Sequence, residues 1–298
     1  MRARRGIVLL LASLVVLGIF IYRNILAELL WDQAKLFHPV LLLNTDDRAL
    51  AFLMGEHYFN GAGGYDINRA RLAYEDTVKI DPESFMGHYQ LGRVYLVLGQ
   101  FDKAREEMMV ASGLNPDDLR PLYVQGLIET YAGNLGLAES LFSGFLDRGG
   151  DTAWGGFNDL SWVLLQEEKY DEAASIALRG LAETDPRNPW LHNNLGVAYF
   201  NLKKYPEALL SLQNALTEAE EISDEEWFTA YSANDRGLTN LARNEFIASI
   251  HVNRALVQNA LGDMSSRDSE YDKALLLLPN HHHMRRLIEL ERSNVDNW

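Results

Sequence analysis

The sequence has no cysteine in its 298 residues. That excludes a disulfide framework, a thiolate metal site and a cysteine nucleophile, along with the lipidated cysteine that tethers bacterial lipoproteins. Compartment stays open, because a cysteine-free chain is at ease in oxidising and reducing surroundings alike. Proline is scarce, at eight residues, and runs of Val, Ile and Thr are few, whereas Ala, Leu and Glu abound. An all-helical chain follows. Catalytic signatures are also missing: there is no Gly-rich phosphate loop, no His-Glu-x-x-His and no nucleophile elbow. The 42 Asp and Glu residues single out no pair, since any two of so many acids can be matched on paper. The reading is a non-enzyme without a cofactor.

Positive charge is short as well, and it is unevenly placed. The net charge is −15, yet residues 1–23 hold Arg2, Arg4, Arg5 and Arg23 with no acid. The remaining 23 basic and 42 acidic residues give −19. Such a body repels nucleic-acid phosphates and favours basic or neutral partners, although solubility alone also accounts for acidity.

Residues 6–22, GIVLLLASLVVLGIFIY, carry no charge. Seventeen residues are at the short end for a hydrocarbon core of about 30 Å. Tyr22 and Arg23 suit an interfacial edge. A cleaved signal peptide is the rival, but no small-x-small site precedes Arg23. Uncleaved anchoring through residues 6–23 is the expectation, behind a basic N-terminus at 1–5. The arginines keep the N-terminus cytoplasmic, which places the bulk of the chain outside the cytoplasmic membrane. Residues 24–47 form a juxtamembrane linker whose helix is expected to stop before Pro39.

Self-similarity then dominates. Gly92 and Gly126 are 34 residues apart and Gly126 and Gly196 are 70 apart. Ala104 and Ala138 are separated by 34, and Ala138, Ala173 and Ala208 follow at intervals of 35; Pro82 and Pro116 are again 34 apart. The text YQLGRVYLVLGQFDKA returns as LSWVLLQEEKYDEA and NNLGVAYFNLKKYPEA. Each copy holds two amphipathic stretches around a turn. The small residue of the first stretch admits the second stretch at the alanine, and Leu195 and Tyr199 fill the space around that contact. Met108, Phe142 and Leu212 lie one turn beyond each alanine, on the same face.

These marks resemble the tetratricopeptide repeat family. The resemblance implies a right-handed α-solenoid of stacked helical hairpins over residues 48–281, with units at about 48–84, 85–118, 119–152, 154–188, 189–222 and 248–281. A helical insert occupies 223–247 and a capping helix 282–298. Ser161 replaces the small glycine in one unit, and Ala255 and Arg267 replace glycine and alanine in the last. The spacing of Ser223 and Glu226 suits a capping box that opens a helix at Asp224. Residues 234–237 read as a turn.

The resemblance also implies a concave groove lined by first-helix residues: Tyr89, Arg93, Tyr123, Thr130, Asn158, Trp162, Asn193 and Phe200, with Leu96, Leu127, Leu165 and Val197 beside them. Aromatic and amide side chains suit an extended or helical peptide. Some members grip a C-terminal carboxylate with a lysine-and-asparagine clamp; the matching positions here lack the lysines, so chaperone docking is not carried over. His88, His192 and His251 recur at one place in different units, too far apart for one metal ion. His281, His282 and His283 read as a loop or helix start, and the acid-rich stretch 218–226 as a solvated junction. The functional expectation is a membrane-anchored adaptor or scaffold for a peptide or partner protein in an envelope assembly. The alternatives are a self-associating framework and a cytosol-facing receptor.

Overall fold

The computed structural model describes residues 2–43, 47–60, 64–150, 154–230 and 238–293. Among them every regular element is a helix. The chain divides into two units, Met1–Gly99 and Gln100–Trp298.

The first unit holds α1 (Arg2–Ala34), α2 (Phe37–Leu42), α3 (Arg48–Phe59), α4 (Ile67–Ile80) and α5 (Phe85–Val97). The apolar stretch 6–22 lies inside α1, but the side chains of residues 1–12, 14 and 19–21 are outside the described ones. Among the described residues no helix is long and apolar enough to cross a membrane. The first helix does not run to the residue before Pro39. It stops at Ala34, because Lys35 turns into the left-handed region (φ 49°) and the N–H groups of Lys35 and Leu36 close on the Trp31 and Leu30 carbonyls. Pro39 then sits in the first turn of α2, where a helix has no use for its N–H.

This linker packs on the first hairpin. Trp31 is buried edge-on to His57 (5.1 Å) and Tyr58 (5.9 Å), Phe37 meets Tyr58 at 5.3 Å, and the Arg69 guanidinium covers both Phe37 and Tyr58. Under the hairpin Gly55 faces the Tyr74 ring so closely that a Cβ would sit 2.4 Å from it.

The second unit runs through α6 (Phe101–Leu114), α7 (Arg120–Tyr131), α8 (Leu135–Asp147), α9 (Trp154–Gln166), α10 (Tyr170–Glu183), α11 (Pro189–Asn201), α12 (Tyr205–Glu221), α13 (Asp224–Ala230), α14 (Thr239–Ala260), α15 (Met264–Leu277) and α16 (His283–Ser293). Pairs α7/α8, α9/α10, α11/α12 and α14/α15 form hairpins. Ala104, Ala138, Ala173 and Ala208 are wholly buried.

The glycine notch is filled by a different residue from the one the spacing predicts. A Cβ on Gly126 would fall 2.6 Å from the Phe142 ring and one on Gly196 2.6 Å from Leu212, whereas the Ala208 carbonyl stays 3.4 Å from Gly196. The occupant is therefore the large residue sixteen positions on, one turn past the alanine. Where Ser161 stands in place of glycine, the residue sixteen on is the small Ala177, and the Ser161 hydroxyl donates to the Ala173 carbonyl at 3.0 Å. Volume is conserved across the pair, as a close-packed interior requires.

The turn inside each second-unit hairpin holds one left-handed residue: Gly133 (φ 83°), Glu168 (φ 60°), Lys203 (φ 59°) and Gly262 (φ 78°). Pro206 lies beyond that turn, already in the first turn of α12. Glycine adopts this backbone freely, but a residue with a Cβ pays about 1–2 kcal/mol.

The insert is anchored by tryptophan. Trp227 on α13 is buried against Trp190 (4.9 Å) and Phe246 (5.5 Å), and Trp190 stacks on Trp154 at 4.7 Å. Ser223 and Glu226 cap each other: the Ser223 N–H donates to the Glu226 carboxylate at 2.9 Å and the Glu226 N–H to the Ser223 hydroxyl at 3.3 Å. The turn expected at 234–237 lies outside the described residues. On α16, Ile288 is buried and Met284 packs beside it, while Leu287 is exposed. It follows Met284 by three positions, which carries it to the edge of the buried stripe.

Candidate functional site

In the first unit two expected groove residues lie on α5. Tyr89 is buried and stacked on Phe85 at 6.1 Å. Arg93 spreads its guanidinium over Phe59 (5.0 Å) and Tyr89 (5.7 Å) and donates to Gln90 Oε1 at 2.8 Å. Gln90 in turn donates to the Glu56 carboxylate, which also accepts from Asn60 and, at 2.7 Å, from the Tyr74 hydroxyl. Burial and the Glu56 charge both push the Tyr74 phenol up. Arg93 is thus fixed by its own unit's aromatics and amides. Gln90 and Glu56 had a sequence signal, being 34 residues apart, one repeat step.

In the second unit the first helices α7, α9, α11 and α14 are joined by a polar ladder. The Tyr123 hydroxyl donates to Asp159 Oδ2 at 2.6 Å. Asn158 Nδ2 donates to Asp159 Oδ1 at 3.0 Å. Asn194 Nδ2 donates to the Asn158 carbonyl (3.0 Å) and to its Oδ1 (3.1 Å). Asn253 Nδ2 donates to Asn193 Oδ1 at 2.9 Å. The steps are 36 and 36 residues, then 60 where the insert intervenes. Three expected groove residues, Tyr123, Asn158 and Asn193, therefore hold the neighbouring first helix. The partners Asp159 and Asn194 stand one position past Asn158 and Asn193, the expected lining residues of their own helices.

The other expected residues divide. The Thr130 hydroxyl donates back to the Gly126 carbonyl at 2.9 Å. Phe200 is half-buried, 6.1 Å from the Tyr205 ring. Trp162 remains 41% exposed on α9. Leu165 is buried in the core. Among the residues that mark the repeat, Gly92 lies in α5 and Tyr199 in α11 beneath Lys204 Nζ, and Pro116 accepts from Arg148 through its carbonyl at 3.0 Å.

The electrostatics of the ladder centre on Asp159. Burial pushes its carboxyl up to about 6, against the hydrogen bonds from Tyr123 and Asn158 that favour the anion. Those donors are neutral, and among the described residues no Lys or Arg pairs with it. Glu129, by contrast, is met by a cation. Glu129 takes two hydrogen bonds from Arg105 (2.6 and 3.1 Å) and one from Asn134 (2.7 Å), and the Arg105 bonds hold it below the usual range.

The recurring histidines have a structural task. His88 and His192 place Nε2 at 3.0 and 2.9 Å from the Pro82 and Pro186 carbonyls, latching each first helix to the loop before it. His251 meets Glu270 instead, Nδ1 to Oε2 at 2.7 Å. Burial would raise Glu270, but hydrogen bonds from His251 and Lys273 and the Arg254 charge hold it down, to about 2. His282 lies 3.3 Å from Glu245. Among the described residues no three metal-capable side chains gather.

Stacked helical hairpins with a small-residue notch define an α-solenoid of tetratricopeptide type. Residues 73–106 and 158–221 each match a tetratricopeptide repeat model, so the chain carries these repeats. Among solved structures it is similar to PilW, described as a widely conserved type IV pilus biogenesis factor (15% identity, 81% of this chain, 98% of that one, TM-score 0.63). It is also similar to pilF of Pseudomonas aeruginosa (16%, 83% and 96%, TM-score 0.59) and to MamA from residue 41 onward of Desulfovibrio magneticus RS-1 (16%, 65% and 94%, TM-score 0.50). At these identities the likeness is one of fold. No curated protein sequence matches the chain.

Proposed function

We propose that the chain is a membrane-anchored tetratricopeptide adaptor that presents its first helices to a peptide segment or partner protein and carries no chemistry of its own. The observation that carries this reading is the contrast on α7, α9 and α11. The helices are locked to one another by hydrogen bonds, yet Trp162 stays open on their face. A rigid platform with an exposed aromatic anchor loses little entropy on binding.

The anchor is residues 6–23, with the N-terminus inside and the repeats outside the cytoplasmic membrane. Support comes from the uncharged run and its flanking arginines. Val15, Val16, Leu17 and Tyr22, all on α1, are exposed, as a lipid-facing helix needs. The likeness in fold to PilW, a type IV pilus biogenesis factor, supports assembly of an envelope complex as the setting.

The test is photo-cross-linking from membranes, with a photoreactive amino acid at position 162 and Trp162→Ala as the competitor in pull-downs. The reading expects one discrete adduct at 162 and its loss from Trp162→Ala pull-downs. Unchanged pull-downs remove the face as the site. Protease treatment of spheroplasts must degrade the repeats, and protection overturns the topology.

A second reading, self-association, draws on Leu276, Leu287 and Leu290, which are exposed on α15 and α16. Light scattering on the full-length protein decides it, since a strict monomer ends that reading.

A further inference from the structure

Among the described residues, Asp159 is the one acid on the α7, α9 and α11 face whose charge no cation answers. It is half-buried, and both its oxygens accept hydrogen bonds from neutral groups, the Tyr123 hydroxyl and the Asn158 amide. A carboxylate has about four acceptor positions, so two remain for a further donor. Anions held away from water without a counter-charge are unfavourable, and folded chains pair them with a cation. Glu129 on α7 and Glu270 on α15 follow that rule through Arg105, Lys273 and Arg254. Asp159 does not.

Trp162 stands three residues along α9, on the same helical face, 41% exposed. An indole beside a carboxylate is a receptor for a long basic side chain: the methylenes lie on the ring, the cation meets its π face, and the charged tip reaches the acid. A divalent ion is a poorer occupant, because it needs several oxygen ligands and no acidic group of metal-binding size gathers here among the described residues. The chain's net charge of −15 adds a long-range attraction for a cationic ligand.

We propose that Asp159 and Trp162 form a subsite for one arginine or lysine side chain of the bound peptide, with Tyr123 and Asn158 holding the carboxylate in place. The subsite rests on the adaptor reading and specifies what its face selects. The ladder supplies the geometry, since Tyr123 grips the acid from α7 and Asn158 from its own helix, and Trp162 follows three residues on along α9. A peptide that brings the missing cation restores full ionisation of Asp159 on binding.

The probe is a pair of degenerate peptide libraries, one with a single central arginine and one with citrulline, its neutral isostere, at the same place; the flanks lack Lys and Arg. Full-length protein is immobilised and the retained peptide is measured by mass spectrometry. The arginine library is expected to exceed the citrulline library by roughly tenfold, the scale of one charge-assisted hydrogen bond. Asp159→Asn, which keeps an acceptor for Tyr123, brings the ratio to near one without abolishing capture of the citrulline library. Glu172→Gln removes the same charge from an exposed position on α10 and leaves the ratio as it was. Capture of both libraries with a ratio near one, or a ratio that Asp159→Asn leaves unchanged, overturns the subsite while the adaptor reading stands. Absence of capture, or capture that Trp162→Ala does not lower, overturns both. Thermal melting of Asp159→Asn at or above the parent temperature shows that a lost ratio is not lost folding.

Discussion

The pairing of Gly126 with Phe142 gives a double substitution whose outcome differs from the sum of its parts. In Gly126→Ser the new Cβ falls 2.6 Å from one Phe142 ring carbon and 2.8 Å from two more, where ordinary contact begins at 3.4 Å. Phe142 is fully buried and has no room to withdraw. Overpacking of this kind costs about 1–3 kcal/mol, offset by at most ~1 kcal/mol because a helical glycine is removed. Phe142→Ala alone leaves a cavity and costs roughly 3–5 kcal/mol. The two together reproduce the Ser161 and Ala177 arrangement of the next unit. With the ring gone the clash is gone, so the double variant is expected near Phe142→Ala alone. That corresponds to a favourable coupling of about 1–3 kcal/mol. Urea unfolding gives the global values. Hydrogen exchange of α7 and α8 amides reports the hairpin itself, which matters because repeat arrays depart from two-state behaviour. Strict additivity, or a neutral Gly126→Ser, would refute the account of the notch.

Three further predictions concern turns and charges. Lys203→Gly removes a left-handed residue with a Cβ (φ 59°) and is expected to stabilise by about 0.5–1 kcal/mol in urea melts; destabilisation contradicts the strain assigned to that turn. Glu129→Gln breaks the paired hydrogen bonds to Arg105 and is expected to cost about 2 kcal/mol at neutral pH. Because the folded carboxyl is held below its ordinary 4.5, the ionised pair's contribution is present above that value and lost as pH falls beneath it, so a deficit that does not shrink in acid is inconsistent. Asp159 has the opposite sign: its folded value is raised from 3.8 to about 6, so stability present in acid is lost as pH rises through 6. Asp159→Asn is therefore expected to melt higher than the parent at pH 7.5, by about 1–2 kcal/mol after discounting for partial solvation, with the gain vanishing towards pH 4.

The repeat was legible because its marks are forced by packing. A glycine notch, an alanine one hairpin away and a proline after the second helix recur at 34 or 35 residues wherever identical hairpins stack. The identity of the notch's occupant was less legible. Both Ala138 and Phe142 lie on the inner face of α8, and only the observed approach of Gly126 distinguishes them. The first helix does stop before Pro39, but its last residue, Ala34, was not legible, because the left-handed lysine that ends it carries no mark in the sequence. The turns at Glu168 and Lys203 carry no glycine to announce their backbone, although Gly133 and Gly262 hold the same place in sister units.

For the site, the family pattern named residues on the helices that carry the ladder, and three of them, Tyr123, Asn158 and Asn193, are held in it. Asn158 and Asn193 look like hydrogen-bond donors and acceptors for a peptide, yet Asn194 and Asn253 occupy their side-chain oxygens from the next first helix. Amides suit this task because one group donates and accepts at once, so a row of them joins successive helices without introducing charge. The exception in the row is Asp159. An asparagine there would accept from Tyr123 equally well and continue the row at no electrostatic penalty. An aspartate adds nothing to the ladder that an amide lacks except its charge, and among the described residues no cation meets it. The rigid, neutral part of the face therefore answers the needs of stacking, and the proposed subsite gives the Asp159 charge its use, a cation brought by the bound peptide.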